Sequence, residues 1–292
     1  MLSTKIELIG FDSVGIRSMA TFIETNDVTV FIDPSVSIAP LRFSLPPHPI
    51  ELKRLEEVAE IIYRRAFESD IIVVTHYHYD HHDLGVHIPL DIYKGKLVVI
   101  KNPTEKINFS QRLRARKFLS KIENLVKELR IGDSTSFTVG KTLLKFSPPT
   151  PHGPTTNLGY VIQVFISDED SSFLHTSDVE GPVNGDALDF MKKNPAKTVV
   201  VDGPPTYLSG VKQHVSDVRI ALKNIVEFLN SVRPEHLIID HHLLRDVNYR
   251  LFYDEVRKHV GNVNVITAAE FMGREPELLE ALRRDLYGIQ GR

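Results

Sequence analysis

The sequence has 292 residues and no cysteine, which excludes disulfide bonds and cysteine–zinc sites. It has no tryptophan either, and no apolar run approaches the ~20 residues that a membrane-spanning helix needs. The first residues lack the charged and then apolar pattern of a secretion signal. We therefore expect a cytoplasmic protein with no membrane partner. The sequence carries no signal for the oligomeric state.

Charge is nearly balanced, because 35 basic and 38 acidic residues give a formal net charge of −3. This balance gives no electrostatic case for a nucleic-acid coat protein. A local basic segment, residues 111–117, could bind phosphates, although such a run is more often the solvated face of a helix. The apolar fraction of 42% suffices for a sizeable core. Since no linker, low-complexity tract or repeat is evident, we expect one domain over residues 1–292.

A dense group of potential metal ligands follows a short apolar segment. Residues 71–74 are all β-branched and indicate a buried strand. After one intervening residue, a stretch of eight residues contains four histidines and two aspartates: His76, His78, Asp80, His81, His82 and Asp83. Imidazole nitrogens and carboxylate oxygens hold zinc and similar divalent ions. We therefore predict a metal site where this strand leaves the sheet.

Spacing within the motif indicates more than one ion. In an extended segment, residues two apart point the same way, so His76 and His78 can hold one metal from one side. Asp80 and His81 follow as the chain turns and point in a different direction. They could therefore serve a second ion a few ångströms away.

The hydrophobic pattern runs from strands to a helix, twice over. Such an order favours two mixed sheets packed face to face, with helices outside. Strands are predicted at 6–9, 19–23, 28–32, 70–74, 97–100, 136–139, 142–146, 158–166, 172–175, 198–201, 237–239 and 263–266. Helices are predicted at 50–67, 110–129, 216–229, 249–259 and 275–286.

Three further ligand-type residues lie in loops that follow predicted strands. His152 lies in a loop rich in proline and glycine, Asp178 follows the strand at 172–175, and His241 follows the strand at 237–239. With the four residues of the motif they make a set of seven.

At this point the chain resembles the metallo-β-lactamase superfamily. The motif His76-x-His78-x-Asp80-His81 matches the central signature of that superfamily, and Asp33 matches its first motif. His152, Asp178 and His241 match its later single-residue motifs in order and approximate spacing. The resemblance spans roughly residues 6–245. It implies an α/β fold, a four-layer αββα sandwich with a two-metal site at one edge.

The resemblance also implies which residues hold each ion. His76, His78 and His152 would hold the first ion, Asp80, His81 and His241 the second, and Asp178 would bridge them. His242 is an alternative to His241 as the last ligand. We favour His241, because it comes directly after the strand and Asp240, and because an arginine four residues after the histidine, here Arg245, resembles the superfamily's nucleases. The other histidine of the pair would lie at the surface or behind the ligands.

Two zinc ions would make the protein a hydrolase that uses a metal-bridging hydroxide, with Mn²⁺ or Fe²⁺ as alternative metals. Asp80 would be both a ligand and a catalytic residue that orients the hydroxide. Redox members of the superfamily have a glutamate where this chain has His78, which favours hydrolysis over oxygen chemistry.

Other residues are candidates for supporting roles. Asp33 and Asp202 could accept hydrogen bonds that fix histidine tautomers. Tyr207 could contact substrate, as could Arg245, although the Tyr207 segment could equally be an ordinary turn after a strand. His214 is a candidate general acid, with a surface histidine as the alternative.

The substrate class stays open between alternatives. We favour a phosphodiester such as RNA or a nucleotide, on the basis of Arg245 and the basic segment. The long insertion of the RNA-processing branch is not evident between residues 178 and 241, so a small-molecule diester fits better. A lactone or carboxylic ester is the alternative substrate, and a non-catalytic metal-binding module is the alternative class of function.

Overall fold

Two β-sheets form the centre of the protein, in a computed structural model that describes residues 4–211 and 214–289. The first sheet contains β1 to β6 in chain order, and its strands are β1 Lys5–Gly10, β2 Ala20–Glu24, β3 Thr29–Ile32, β4 Ile71–Val74, β5 Leu97–Ile100 and β6 Glu128–Ile131. The strands β1 to β3 are antiparallel, whereas β3 to β6 are parallel.

The second sheet repeats this change from antiparallel to parallel pairing. The remaining strands are β7 Ser136–Val139, β8 Thr142–Phe146, β9 Thr150–Pro151, β10 Tyr160–Val161, β11 Val164–Ser167, β12 Ser172–His175, β13 Thr198–Val201, β14 His236–Ile239 and β15 Asn264–Ile266. β9 and β10 form a separate short pair, and the others form the sheet in the order β7-β8-β11-β12-β13-β14-β15. The strands β12 to β15 are parallel.

Helices cover the outer faces of the two sheets. They are α1 Pro49–Glu68, α2 Phe109–Ile122, α3 Gly185–Lys193, α4 Val215–Val232, α5 Tyr249–Arg257, α6 Ala268–Phe271 and α7 Arg283–Leu286. One cluster of buried side chains joins α1 and the first sheet to the second sheet, through residues such as Ile62, Val73 and Phe146. Another joins the second sheet to α3, α4 and α5, through residues such as Val199 and Phe228. The predicted four-layer αββα architecture is therefore confirmed.

Most predicted elements lie where the pattern indicates, and the differences have local causes. The basic helix ends at Ile122 instead of residue 129, because residues 128–131 pair with β5 as an additional parallel strand. The terminal helix begins only at Arg283, because the preceding segment is held in a loop by contacts such as that from the Glu277 N–H to the Ser13 carbonyl. The sequence analysis missed α3.

Parallel pairing determines where the functional residues can meet. The carboxyl ends of neighbouring parallel strands lie at the same edge of a sheet. β3 and β4 end at one edge of the first sheet, and β12, β13 and β14 end at one edge of the second. Loops after all five strands contribute to the site described below. No helix among the described residues has the length and apolar character to cross a bilayer.

Candidate metal centre

The histidine-rich motif begins one residue after β4. His76 is fully buried, while His78 and Asp80 are half-buried and Tyr79 is exposed. The chain then turns back on itself, because the His81 N–H donates to the His78 carbonyl over 3.0 Å. This turn directs His81, which is also fully buried, toward the second sheet.

Asp178, in the loop after β12, lies at the centre of the cluster. Its Oδ2 atom is 3.0 Å from Nε2 of His152 and 3.6 Å from Nε2 of His76. Its Oδ1 atom is 3.1 Å from Nε2 of His81 and 3.6 Å from Nε2 of His241. The two carboxylate oxygens therefore face two different sets of imidazoles.

The structure brings all seven predicted ligands together. The ligand atoms of His76, His78, His152 and Asp178 all lie within 4.8 Å of one another, as do those of Asp80, His81 and His241. Asp178 belongs to the first group and contacts members of the second. Each group has a composition that could hold a divalent ion, and Asp178 faces both groups.

Buried carboxylates behind the histidines fix their orientation. Oδ2 of Asp33 is 2.8 Å from Nδ1 of His81, and Oδ2 of Asp12 is 2.8 Å from Nδ1 of His241. A carboxylate at Nδ1 holds the proton on that nitrogen, so that Nε2 keeps its lone pair for a metal. Asp33 is itself fixed by the N–H and the hydroxyl of Thr75, over 2.7 and 2.6 Å.

Some polar atoms of the cluster lack the hydrogen bonds that buried groups normally have. Nε2 of His76 and Oδ1 of Asp178 are buried without a well-aligned hydrogen bond among the described residues. Leaving such atoms unpaired costs about 1–3 kcal/mol each. A divalent cation between imidazole and carboxylate would satisfy them, so the residues present fit a metal centre.

Electrostatics divides the histidines into two kinds. Burial and neighbouring imidazoles hold the pKa of His76 well below its ordinary value and that of His78 at about 3. For His81, burial acts in the opposite direction to Asp178 and Asp33, and these carboxylates raise its pKa well above the ordinary value. For His241, burial and Arg245 lower the pKa, but Asp178 and Asp12 outweigh them and raise it to about 9. Two histidines are thus ready to bind a cation, and two must first lose a proton.

Several turns at the site have strained backbone. The turns after β3, β12 and β14 each contain a residue with a positive φ angle. The angles are 52° at Asp33, 57° at Ser177 and 80° at His241. Residues other than glycine rarely adopt this left-handed conformation, which costs on the order of 1–3 kcal/mol each. Its recurrence at three strand ends indicates that the surrounding contacts hold these turns in place for the site.

The structure also locates the other predicted residues. Arg245 is buried, and its guanidinium lies 3.1 Å from Asp12, 3.5 Å from Asp80 and 3.0 Å from Nε2 of His241. Tyr207 is outside the cluster, and its ring lies 4.3 Å from the guanidinium of Arg42. His214 caps α4, is exposed, and makes no contact with the cluster among the described residues. Its role as general acid stays a prediction.

His242 does not lie at the surface, which was one of the two positions expected for the second histidine of the pair. His242 is buried in the centre beside His241, with Nδ1 2.8 Å from Oδ2 of Asp202. Burial, Asp178 and Glu180 raise the pKa of Asp202 well above its ordinary value, while the backbone N–H of Glu180 acts against this rise. The sequence analysis did not identify Asp12, although this carboxylate follows β1 in the same way that the other candidates follow their strands.

The accessible side of the cluster is the side of His78 and Asp80. Between them, the exposed ring of Tyr79 lies 4.7 Å from the guanidinium of Arg114 on α2. The basic segment of the sequence therefore reaches the rim of the site through this arginine.

Comparison with known proteins agrees with this fold and this cluster. The family described as "Beta-lactamase superfamily domain" matches residues 29–242. A UPF0282 protein of Saccharolobus islandicus is 46% identical over 288 residues, which cover 97% of this chain and 92% of the relative. Among solved structures, yeast PDE1 is similar with a TM-score of 0.56 and 13% identity, covering 91% of this chain and 98% of that one.

Isothiocyanate hydrolase from Delia radicum gut bacteria is similar with a TM-score of 0.55 and 12% identity, covering 86% of this chain and 94% of that one. At these identities the solved structures show a shared fold alone. The family match and the His/Asp cluster together indicate a metal-dependent hydrolase. The chain belongs to the β-lactamase superfamily and, within it, to the family of the UPF0282 proteins.

Proposed function

We propose that this protein is a hydrolase with a two-zinc centre that cleaves phosphodiesters of nucleotides or short RNA. The observation that carries the proposal is Asp178, whose two oxygens face two sets of imidazole nitrogens across 3.0 to 3.6 Å. Nitrogen and oxygen acceptors that face each other in a buried cluster repel one another unless protons or metal cations lie between them.

Each ion would have its own ligands. His76, His78 and His152 would hold the first, Asp80, His81 and His241 would hold the second, and Asp178 would serve both. Ions in these positions would supply a nucleophile from water near neutral pH and neutralise negative charge on the reacting group. Zinc suits this mixture of imidazole and carboxylate, with Mn²⁺ and Fe²⁺ as the alternatives.

Residues of the chain would orient the reacting groups. Asp80 is half-buried at the accessible side, so its second oxygen can accept a hydrogen bond from an attacking water. Arg245 holds Asp80 from behind at 3.5 Å and keeps a positive charge beside the centre. Burial of the remaining ligands excludes bulk water from all but this side.

Fixed positive charge favours an anionic substrate over a neutral lactone. Arg245 lies inside the site, and Arg114 lies at its rim. The exposed Tyr79 beside Arg114 offers a ring on which a base can stack, a contact worth about 1–3 kcal/mol per base. A nucleotide presents both a phosphodiester and a base, which is why we favour it.

The test combines metal analysis with a substrate panel. We expect two zinc ions per chain, and turnover of bis-p-nitrophenyl phosphate and of dinucleotides that is lost in His78→Ala. The matched control is His214→Ala, a histidine outside the cluster, which should keep its metal content.

Turnover of lactones alone would contradict the diester proposal and favour the ester alternative. Stoichiometric metal without turnover of either class would favour the non-catalytic module. A folded wild type that binds no divalent ion would refute the metal centre itself.

A further inference from the structure

His242 has the geometry of a metal ligand, although the predicted set contains His241 in its place. Nε2 of His242 lies 3.6 Å from Oδ2 of Asp178, and Nδ1 lies 2.8 Å from Asp202. His241 has the matching arrangement, with Nε2 3.6 Å from Oδ1 of Asp178 and Nδ1 2.8 Å from Asp12. Two consecutive histidines thus present equivalent atoms to the two oxygens of one carboxylate.

The backbone explains how adjacent side chains can face the same site. In an extended strand, consecutive side chains point to opposite faces. Here His241 has a φ angle of 80°, and His242 is already helical at φ −61° and ψ −40°. The carboxylate of Asp240 stabilises this turn by accepting the His241 N–H over 2.6 Å. The conformation therefore brings both imidazoles into the cluster.

Asp202 orients the ring of His242. It accepts the backbone N–H of Glu180 over 2.7 Å and that of Gly181 over 3.1 Å, so both of its oxygens already act as acceptors. Nδ1 of His242 is then the donor, and Nε2 carries the lone pair that faces Asp178. Two acceptors 3.6 Å apart in a buried site call for a cation between them.

Resting on the two-ion centre proposed above, we propose that His242 is an eighth protein ligand, on the Oδ2 side of Asp178. His152 also lies on this side, its ring 5.7 Å from that of His242. The ligand atom of His242 also lies within 4.8 Å of those of His241 and Asp178. The ion that His242 joins would then have five protein donors instead of four. Zinc sites are mostly four-coordinate, whereas a donor set of this size suits five- or six-coordinate ions such as Co²⁺, Fe²⁺ or Mn²⁺.

Cobalt provides the test, because its visible absorption strengthens as the coordination number falls. In wild-type protein loaded with two Co²⁺, the ion that His242 binds should have weak visible absorption, because its coordination number is the higher one. His242→Ala should absorb more strongly and bind that ion at least about tenfold more weakly. Asp202→Asn, which removes the carboxylate behind Nδ1 of His242 but keeps the imidazole, should shift the spectrum in the same direction, and His214→Ala should match the wild type.

A crystal structure of the Co²⁺-loaded wild type gives a measurement that needs no variant. Nε2 of His242 should lie about 2.0–2.2 Å from an ion. A distance above about 3 Å, or a His242→Ala spectrum and affinity equal to those of the wild type, overturns the eighth ligand while the two-ion centre stands. Failure of the wild type to bind Co²⁺ overturns both proposals.

Discussion

Replacing Asp33 by asparagine should weaken metal binding more than its effect on folding explains. The Asp33 carboxylate accepts hydrogen bonds from the Thr75 N–H, the Thr75 hydroxyl and Nδ1 of His81. In asparagine one oxygen becomes an NH₂ group. If the remaining oxygen keeps the Thr75 N–H, the NH₂ faces Nδ1 of His81. The neutral form of His81, which is the form that binds a metal, then carries its proton on Nε2, the atom that faces Asp178.

The magnitude follows from these contacts. Loss of a carboxylate behind a metal-binding histidine typically reduces affinity by about 10- to 100-fold, or about 1.4–2.7 kcal/mol. The metal-free protein should also lose about 1.5–3 kcal/mol of unfolding free energy, because one buried hydrogen bond to a charged acceptor is lost. Affinity is measured by competition with a chromophoric chelator, and stability by denaturant unfolding of the metal-free protein.

Glu51→Gln is the matched control. The Glu51 carboxylate is also buried and also accepts hydrogen bonds, from the His48 N–H and from Nε and Nη2 of Arg283, over 2.8 Å each. It contacts none of the metal-ligand residues, so Glu51→Gln should lose stability without losing affinity. If Asp33→Asn binds metal as tightly as the wild type, or if the control loses equal affinity, the tautomer argument fails.

Four further outcomes are expected. Metal affinity should rise with pH up to about pH 9, the pKa of His241, by about tenfold per unit for each proton displaced. The reason is that carboxylates raise the pKa of both His81 and His241 and keep both protonated at lower pH. Chelator competition across this pH range measures the affinity. Arg114→Ala should raise KM for a dinucleotide roughly twofold to fivefold and leave kcat unchanged, and an equal loss in both would place Arg114 elsewhere in the reaction. Removing the ions with EDTA should lower Tm, since each ion at ~100 times its Kd adds ~2.7 kcal/mol, and an unchanged melting curve would contradict tight binding. Phe228→Ala, in the buried contact between α4 and the second sheet, should cost about 3–5 kcal/mol of unfolding free energy while metal affinity in the folded protein stays constant.

The fold and the ligand cluster could be predicted because their signals are local. A β-branched strand followed by closely spaced ligand residues identifies the edge of a sheet, and His152, Asp178 and His241 repeat this arrangement after other strands. Asp12 illustrates what local signals omit. Its contact with His241 joins residues 229 positions apart, and only the packing of the first turn against the end of β14 creates it.

The orientation of His242 could not be predicted for a different reason. The prediction that one histidine of the pair lies at the surface or behind the ligands assumes that neighbouring side chains diverge, which is correct for extended backbone. The left-handed turn at His241 removes this divergence. Such a conformation in a residue other than glycine depends here on a contact from the distant Asp12 as well as on the neighbouring Asp240, and no nearby sequence pattern predicts it.

The position of the centre between the sheets connects stability with function. His76 and His81 follow a strand of the first sheet, whereas Asp178 and His241 follow strands of the second. Ions held by both sets would cross-link the two sheets at the edge where strained turns accumulate. Metal binding would therefore stabilise the same turns that orient the ligands. This coupling explains why a change such as Asp33→Asn, which touches no substrate, is expected to act on both affinity and folding.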